Sequence, residues 1–404
     1  MVPSPPSKPS GPSAPGPPCS RCILYRDESQ SVFLVDIPAS IEESQVLPAQ
    51  SAETARDRGG GGGGPRRLLS VDPVAAPYPL PEPRNPQHNS QGTPASQLAD
   101  LMTEAAVRSA LDALREHHTA PFCLPRVTAG VSITSCCSSG KSSSGGNGSA
   151  CRSLQDDPAR EDAARGAIEP EAAAAAHFIP EGSAYLCGSI ADTREAFITT
   201  APVFDLMIMD PPWPNKSAKR KTGGYSTVYG LKETRRLLEQ IPVAAHLAED
   251  GIVAVWVTNR PSLVDLLTSP NGVLAAWGLE VVAEWIWIKI TSQGEPIFDT
   301  GSSWRKPWER LIIARRRGSA RKIPQRVLAA VPDVHSRKPN LRCLFEDLLP
   351  RGFVGLEVFA RNLTAGWWAW GNQVLRFQEP RYWVAPTESG ETEVEESSEQ
   401  NNTN

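Results

Sequence analysis

The stretch FDLMIMDPPWPNK, residues 204–216, constrains the fold more than any other part of the chain. It begins with an apolar run whose length is typical of a strand buried on both faces of a sheet. Pro211 and Pro212 then end the strand, because proline has no backbone N–H to donate to a neighbouring strand. Ligands of open α/β sheets bind at the carboxyl ends of the strands, so we expect a binding site at Asp210 and Trp213.

The residues that end this strand are suited to holding a planar amine. The Asp210 carboxylate and the main-chain carbonyl of Pro211 can accept two N–H bonds from an exocyclic amine of adenine or cytosine, while the Trp213 ring stacks on the base. Proline fixes its own φ and therefore holds the second carbonyl still. No strong general base is required, since such an amine becomes acidic only after alkylation. The alternative interpretation is a strand that simply ends in a proline turn.

Composition separates the two halves of the chain. Of 404 residues, 38 are proline and 31 are glycine, and both types are concentrated in the first half. This distribution predicts one catalytic domain preceded by an irregular N-terminal half. The net charge of −4 says little about partners, because local basic clusters oppose an acidic tail.

Cysteine usage and hydropathy indicate the compartment. The eight cysteines follow no disulfide framework, no signal peptide is predicted, and no apolar run approaches 18 residues. We therefore predict a reduced compartment, either the nucleus alone or the nucleus and the cytoplasm, with no membrane contact. The CxxC formed by Cys19 and Cys22 lacks a second pair or a histidine at ligand spacing, so no metal site is predicted.

Composition also divides the chain into segments. We predict disorder at 1–18, a small β element at 19–48, a disordered linker at 49–92, a helical accessory segment at 93–127, a low-complexity linker at 128–177, the catalytic domain at 178–384 and a disordered acidic tail at 385–404. Apolar runs on either side of RDESQS predict a hairpin in the β element. The accessory helix carries apolar residues on two nearly opposite stripes, so it either bends or is contacted on two faces.

Strand and helix patterns alternate in the catalytic domain. Strands are predicted at 184–187, 204–209, 251–257, 281–290, 309–314 and 353–359, and helices at 231–241, 261–277 and 339–349. This alternation predicts an α/β sheet of the Rossmann-like type. No GxGxxG follows any of these strands, which disfavours a dehydrogenase or a P-loop enzyme.

The DPPW tetrapeptide resembles the Asp/Asn-Pro-Pro-aromatic signature of the amino-methyltransferases, in the form found in eukaryotic adenine methyltransferases. Further blocks, in the same order, resemble the methyltransferase-like protein 4 branch of that family: AVWVTNR (254–260), VVAEWIWIKIT (281–291), VHSRKPNL (334–341) and LEVFARNLTAGWWAWGNQVLRFQ (356–378). The resemblance spans about residues 178–384. It implies a Rossmann-like sheet of the S-adenosylmethionine-dependent methyltransferases in circularly permuted order, with the cofactor strand after the catalytic strand.

The resemblance also implies roles for individual residues. The residues from Asp210 to Trp213 would hold the target adenine, and Glu309 would accept from the target amine or its neighbours. The residues that would bind S-adenosylmethionine are Lys338, Arg361, Asn362, Asn372, Gln373, Ser189 and the Ile190 backbone. A long cation can meet the methionine carboxylate, and amides can bond the ribose hydroxyls and the adenine edge.

Three of these assignments have alternatives. Asn372 and Gln373 would otherwise form a turn after Trp370 and Gly371, and Glu309 would be an exposed residue at the start of a strand. Many relatives have an aspartate where this chain reads Cys187-Gly188-Ser189-Ile190. A serine hydroxyl can still accept a hydrogen bond there, but weaker cofactor binding is left open.

Cations and tryptophans near the predicted site indicate a polyanionic substrate. The loop after DPPW contains Asn215, Lys216, Lys219, Arg220 and Lys221, and these residues fit contacts to phosphate. A second cluster follows the Glu309 strand and fits phosphate binding or a nuclear address: Arg315, Arg316, Arg317, Arg321 and Lys322. Trp304 and Trp308 are candidates for stacking on an unpaired base. The alternatives are a solvated loop for the first cluster and a core position for the two tryptophans.

The sequence thus predicts an S-adenosylmethionine-dependent methyltransferase that acts on the exocyclic amine of adenine in nucleic acid. The target base must be unstacked, because the methyl donor cannot reach an in-plane amine inside a duplex. Family analogy favours RNA, either a small nuclear RNA or a messenger RNA, over DNA. A catalytically silent scaffold subunit is the alternative of another class. The chain acts either as a monomer or with a protein partner.

Overall fold

The computed structural model describes residues 20–48, 66–79, 94–128, 177–214, 230–302 and 305–384. Several sequence predictions lie outside these residues. They concern the two chain ends, Cys19, most of both linkers, Trp304 and the loop that contains Asn215, Lys216, Lys219, Arg220 and Lys221.

Ten strands of the described segments form one sheet. In chain order they are β1 (Ile23–Arg26), β2 (Val32–Val35), β5 (Ala184–Cys187), β6 (Phe204–Met209), β7 (Leu247–Val257), β8 (Leu279–Lys289), β9 (Trp308–Arg316), β10 (Val327–Ala330), β11 (Gly355–Val358) and β12 (Trp368–Gly371). Their order across the sheet is β1-β2-β10-β8-β9-β7-β6-β11-β12-β5. A smaller sheet has the order β13-β3-β4, with β3 at Arg67–Ser70, β4 at Val127–Thr128 and β13 at Trp383–Val384.

The half of the large sheet that ends at β5 is parallel. Strands β5, β12, β11, β6 and β7 run in the same direction, and β9 is antiparallel to both β7 and β8. The DPPW strand β6 pairs with β11, which comes much later in the chain. The predicted Rossmann-like α/β fold is therefore confirmed, and the strand order agrees with the permuted arrangement that the resemblance implies.

Helices cover both faces of the sheet. They are α1 (Ile37–Ser44), α2 (Pro94–His117), α3 (Ile190–Thr200), α4 (Leu231–Glu239), α5 (Val243–His246), α6 (Pro261–Thr268), α7 (Val273–Ala276) and α8 (Arg342–Phe345). Buried side chains of α3, α4, α6 and α7 pack in one cluster with alternate residues of β6, β7 and β9. Helices α1 and α8 pack on the opposite face. No helix of the described segments has both the length and the apolar character needed to cross a membrane.

Two predicted helices are shorter than the sequence pattern indicated. The single helix predicted at 261–277 is wrong, because α6 ends at Thr268 and α7 begins after Gly272. A Cβ atom at Gly272 would lie 2.6 Å from the carbonyl oxygen of Leu267, so only glycine fits this break. The helix predicted at 339–349 is reduced to the short α8.

The N-terminal segments belong to the same body as the catalytic domain. The predicted hairpin is present as β1 and β2, but it is not a separate element, since β2 pairs in parallel with β10 and extends the large sheet. The prediction of a linker throughout 49–92 is also wrong, because β3 lies within it. Its main-chain groups are held by partners distant in the chain, which local composition does not reveal.

Helix α2 is contacted on one face only. Val107, Leu111 and Leu114 are buried against β2, β8 and β10. Leu98 and Met102, which belong to the other predicted stripe, are 60% and 66% exposed. The expectation of contact on two faces is therefore not met by the described residues, and the alternative of a bend stays a prediction.

Candidate active site

A pocket opens at the carboxyl ends of β6 and β11. This is the sheet edge at which an open α/β fold binds its ligands. The pocket is lined by Ile208, Asp210, Trp256, Ser336, Lys338, Pro339, Asn340, Leu341, Glu357, Val358, Phe359, Ala360, Arg361, Asn362 and Phe377. Four residues predicted from the sequence, Asp210, Lys338, Arg361 and Asn362, therefore share one cavity.

Asp210 lies between two cations. Its backbone N–H donates to the carbonyl of Val358 at 3.3 Å, which ties the end of β6 to the end of β11. Lys338 Nζ lies 3.3 Å from each carboxylate oxygen, and Arg361 Nη1 lies 3.3 Å from Oδ2. These contacts are long for charge-assisted hydrogen bonds, so the carboxylate is held in place while its lone pairs remain available to a further donor.

Lys338 bridges Asp210 and Glu309. Its Nζ lies 3.2 Å from Glu309 Oε2, and Lys289 Nζ lies 2.5 Å from Oε1 of the same carboxylate. Burial by itself would raise the pKa of Glu309, but Lys338 and Lys289 lower it to about 2. Burial likewise favours a lower pKa for Lys338, yet Asp210 and Glu309 raise it above its usual value. Glu309 and Lys338 are therefore both charged at neutral pH.

Arg361 joins Gln373, another predicted cofactor residue, to this cluster. Its Nε donates to Gln373 Oε1 at 3.2 Å, and its Nη1 donates to the carbonyl of Ser336 at 3.3 Å. Asn372 and Gln373 form a turn directly after β12, as the alternative interpretation of this dipeptide expected. The same turn places Gln373 beside Arg361, so the turn and a role in cofactor binding are compatible. Asn372 is exposed and Gln373 is half-buried.

Two residues of the pocket wall have left-handed backbone conformations. Ser336 has φ 74° and Phe359 has φ 61°, values that cost free energy in residues other than glycine. The N–H of Phe359 donates to the carbonyl of Trp370 at 2.6 Å. A Cβ at Gly371 would lie 3.1 Å from Phe359 Cα, so β12 can approach this turn closely only with glycine there. Lys338 lies two residues after Ser336, and Arg361 lies two residues after Phe359, so each strained turn directly precedes a cation of the pocket.

The DPPW turn has a fixed indole. Trp213 is half-buried, and its Nε1 donates to the carbonyl of Trp256 at 2.9 Å. Trp256 lies in the neighbouring strand β7 and also lines the pocket. The hydrogen bond restrains the orientation of the Trp213 ring. Pro211 is buried and Pro212 half-buried at the same turn.

Ser189 and Ile190 lie apart from the pocket lining. Both follow β5, the edge strand of the sheet. Ser189 is the N-cap of α3, where its hydroxyl accepts the N–H of Asp192 at 3.2 Å, and Ile190 is buried. The cap explains why a serine is acceptable here. Their predicted contact with cofactor stays a prediction.

Two substrate predictions need correction. Trp308 is 2% exposed and packs in the core beneath α2, so it does not present its ring to a base, and the core interpretation was the right one. The cluster Arg315–Arg317 does not lie beside the site. Arg310 pairs with Val257 at the end of β7, whereas Arg315 pairs with Ile252 in its middle. The Arg316 guanidinium reaches the carbonyl of Leu247 at the start of β7. Because β9 runs antiparallel to β7, its last arginines lie at the opposite edge of the sheet, which is formed by the amino ends of the parallel strands.

Sequence reasoning missed Glu357 as a site residue. Its side chain lines the pocket from the middle of the apolar strand β11. Removal from water raises its pKa to about 7, and the neighbouring negative charge of Asp210 contributes. A carboxylate inside an apolar run that ends at the binding edge was the available signal. Among the described residues, no group of three or more histidine, cysteine, aspartate or glutamate side chains could hold a metal ion.

The raised pKa of Glu357 predicts a pH-dependent gain in stability for Glu357→Gln. Between about pH 4.5 and pH 7 the folded protein retains a proton that the unfolded chain releases, so the parent loses stability as the pH rises through this window. The variant has no such titration. Its free energy of unfolding relative to the parent should therefore rise by about 3 kcal/mol between pH 5 and pH 8.

Urea denaturation of both proteins at pH 5 and pH 8 measures this difference. The exposed carboxylate of Glu249 provides the control, since Glu249→Gln changes a group that water already solvates. A difference between Glu357→Gln and the parent that is the same at both pH values would contradict the assignment.

The sheet order and the DPPW turn, beside a pocket with charged side chains in its wall, define an adenine methyltransferase of the Rossmann-like class. Comparison with known proteins agrees. The sequence profile of the MT-A70 family matches residues 204–373. The "N6-methyladenosine RNA methyltransferase MTA1" of Cryphonectria parasitica is 46% identical over 370 residues, which cover 90% of this chain and 95% of that protein.

Two further relatives match a shorter region. The human "N(6)-adenine-specific methyltransferase METTL4" is 35% identical over 227 residues, 53% of this chain and 46% of that protein. The "DNA N6-methyl methyltransferase" of Caenorhabditis elegans is 36% identical over 191 residues, 46% of this chain and 50% of that protein.

The chain belongs to the MT-A70 family. The predicted family and enzyme class, an S-adenosylmethionine-dependent methyltransferase acting on the N6 atom of adenine in nucleic acid, are confirmed.

Proposed function

We propose that this chain methylates the 6-amino nitrogen of an unpaired adenine in RNA, and that the pocket beside Asp210 binds the methyl donor. The observation that carries the proposal is the position of Asp210, which ends β6 at the edge of the pocket formed with β11. The amine acceptors and the donor pocket are thereby neighbours, as a direct transfer requires.

The pocket residues fit S-adenosylmethionine in their chemistry. Lys338 and Arg361 offer cationic donors for the methionine carboxylate, and Glu357 offers a carboxylate for hydroxyl or amine groups. Phe359 and Phe377 offer apolar rings in the same wall. Asn362, Asn372 and Gln373 are the amides proposed for the ribose and adenine, with Ser189 and Ile190 at greater distance along the sheet edge. When bound, S-adenosylmethionine supplies an activated methyl group.

On the substrate side, the chain's own residues hold the amine. Asp210 and the Pro211 carbonyl accept its two N–H bonds and draw the nitrogen towards a tetrahedral geometry. The Trp213 ring, restrained by its bond to the carbonyl of Trp256, stacks on the base. Lys338 and Arg361 contact the Asp210 carboxylate and hold it in place as an acceptor. Glu309 holds Lys338 in turn and acts on the amine through it.

The preference for RNA rests on the comparisons by analogy. The relative from Cryphonectria parasitica, whose name specifies RNA, matches along 90% of this chain, whereas the relative from Caenorhabditis elegans, whose name specifies DNA, matches along 46%. DNA is the second candidate. We further propose a nuclear location. A silent scaffold is disfavoured, because the DPPW turn and the Lys338 and Arg361 contacts are all present.

The loop after DPPW provides a test of the polyanionic substrate. If Lys216, Lys219, Arg220 and Lys221 contact phosphates of an unpaired strand, each contact adds about 0.7 to the slope of log affinity against log salt. Replacement of all four by serine should lower that slope by about 2–3. The measurement is binding of a single-stranded RNA, and of a DNA of the same sequence, over a salt series.

The control replaces Arg315, Arg316, Arg317 and Arg321, which lie at the opposite edge of the sheet, by serine. This second variant should retain the slope of the parent. A slope that is unchanged in the loop variant and lowered in the control would move the nucleic-acid track to the opposite edge. Tighter binding and faster methylation of the DNA than of the RNA would contradict the preference for RNA.

A further inference from the structure

The small sheet joins three distant parts of the chain beside the Lys338 loop. Strand β3 pairs antiparallel with β13 and parallel with β4, so residues near 68, 127 and 383 meet. All three strands lie outside residues 204–373, the region that matches the family profile. The small sheet therefore lies outside the region that matches the family profile. Its contacts with that region show which part of the site the outer segments hold in place.

A buried ion cluster connects this sheet to the loop. Arg337 Nη1 donates to Asp333 Oδ2 and to the carbonyl of Leu69 in β3, both at 2.7 Å. Asp333 Oδ1 accepts the N–H of Val71 at 3.2 Å and lies 3.8 Å from Arg126 Nη1. The side chains of Asp333 and Arg337 are 0% exposed, and that of Arg126 is 2% exposed.

Arg126 fixes the other end of the same loop. Its guanidinium donates to the carbonyls of Val331 and Pro332 at 2.9 and 2.8 Å, and to that of Val71 at 3.1 Å. The loop between β10 and Lys338 is thus held by side chains at both ends rather than by a strand or a helix. Arg337 Nε and Nη2 and Arg126 Nε have no hydrogen-bond partner among the described residues, so the contacts to Asp333 and to the main-chain carbonyls are what hold the two guanidinium groups. Loss of one charge of such a buried pair leaves the other without its counter-ion, which is costly, so the cluster favours one loop conformation.

Arg337 also supports the pocket wall directly. Its guanidinium carbon lies 4.7 Å from the ring centroid of Phe377, which lines the pocket, and 5.6 Å from that of Tyr382. In sequence it stands between Ser336, whose backbone is left-handed, and Lys338, which contacts Asp210 and Glu309. An arginine anchored in the small sheet therefore sets the position of the lysine that follows it.

We propose that Asp333 and Arg337 are positioning residues for donor binding, acting through Lys338 and Phe377. The inference rests on the proposed function, in which Lys338 belongs to the donor pocket. It assigns the N-terminal segments a role in the reaction, because β3 and Arg126 complete the cluster that holds the loop.

The test compares arginines in matched surroundings. Arg326 is also buried, pairs with Asp347 and donates to a main-chain carbonyl. Its guanidinium carbon lies 5.0 and 4.9 Å from the ring centroids of Phe33 and Trp285. Unlike the loop that contains Arg337, it does not contribute to the pocket. We expect Arg337→Gln and Arg326→Gln to lower the thermal midpoint alike. Only Arg337→Gln should weaken binding of S-adenosylmethionine in calorimetry without nucleic acid, by about tenfold. Its KM for the donor should rise more than its kcat falls.

Asp333→Asn, which keeps the size of the side chain, carries the test if Arg337→Gln does not fold. The same weakening of donor binding is expected for it. The positioning role would be overturned if Asp333→Asn folds and binds the donor as tightly as the parent does. It would also be overturned if Arg326→Gln loses as much donor affinity as Arg337→Gln. A parent protein that binds neither S-adenosylmethionine nor S-adenosylhomocysteine would instead overturn the proposed donor pocket, and this inference with it.

Discussion

Asp210→Ala should lower the single-turnover rate of methyl transfer by about a hundredfold or more, because it removes an acceptor whose bond strengthens as the amine becomes tetrahedral. The fold should persist. Lys338 keeps Glu309 as a partner, and Arg361 keeps Gln373 and the Ser336 carbonyl. The measurement is transfer from labelled donor to RNA with enzyme in excess.

Asp250→Ala is the matched control for this variant. Asp250 lies near the start of β7, at the opposite edge of the sheet, and accepts from the Ser319 hydroxyl. It should transfer methyl groups at the rate of the parent. A folded Asp210→Ala protein that also matches the parent would show that the amine is held elsewhere.

Lys338→Met should weaken donor binding by about 1–3 kcal/mol, and it should also slow transfer at saturating donor. The second effect follows from the structure, since Lys338 contacts Asp210 as well as lining the pocket. The apolar stem of methionine preserves the packing against Trp256 and Trp287, whose ring centroids lie 5.7 and 6.0 Å from Lys338 Nζ. Calorimetry with S-adenosylmethionine and single-turnover kinetics measure the two effects separately.

Lys289→Met separates the contribution of Lys338 from the charge of the cluster. Lys289 also pairs with Glu309, but it is absent from the pocket lining. We expect the affinity of Lys289→Met for the donor to lie within about threefold of that of the parent. Removal of the Lys289 ammonium group leaves no pocket group without a partner, because Glu309 retains Lys338. Equal losses of donor affinity in the two variants would mean that net charge, and not the position of Lys338, determines binding.

The core of the fold could be predicted from the sequence because its signals are local. The apolar run that ends at Asp210 needs only its own composition to be identified as a buried strand, and β6 spans the predicted residues. The hairpin strands β1 and β2 were visible for the same reason. Their attachment to β10 was not, because strand pairing across almost 300 residues leaves no local pattern.

The candidate site likewise contains residues that local motifs predict and residues whose surroundings depend on tertiary structure. Asp210, Lys338 and Arg361 were predicted through motifs, and the structure brings them within hydrogen-bonding distance. Trp308 was misassigned because an aromatic residue before a strand has the same sequence pattern whether it faces a ligand or the core. The arginines after β9 were misplaced because strand direction, which sends them to the far edge, depends on the pairing with β7. Arg337 was passed over because its partners, Leu69 and Asp333, are set by tertiary structure.

The most direct test of the account is mass spectrometry of nucleosides from RNA and DNA incubated with the protein and S-adenosylmethionine carrying an isotopically labelled methyl group. We predict labelled N6-methyladenosine from RNA, at a lower level from single-stranded DNA, and loss of the label with Asp210→Ala. Labelled product on another base or another atom of adenine, or no labelled nucleoside from a folded protein that binds the donor, would contradict the account.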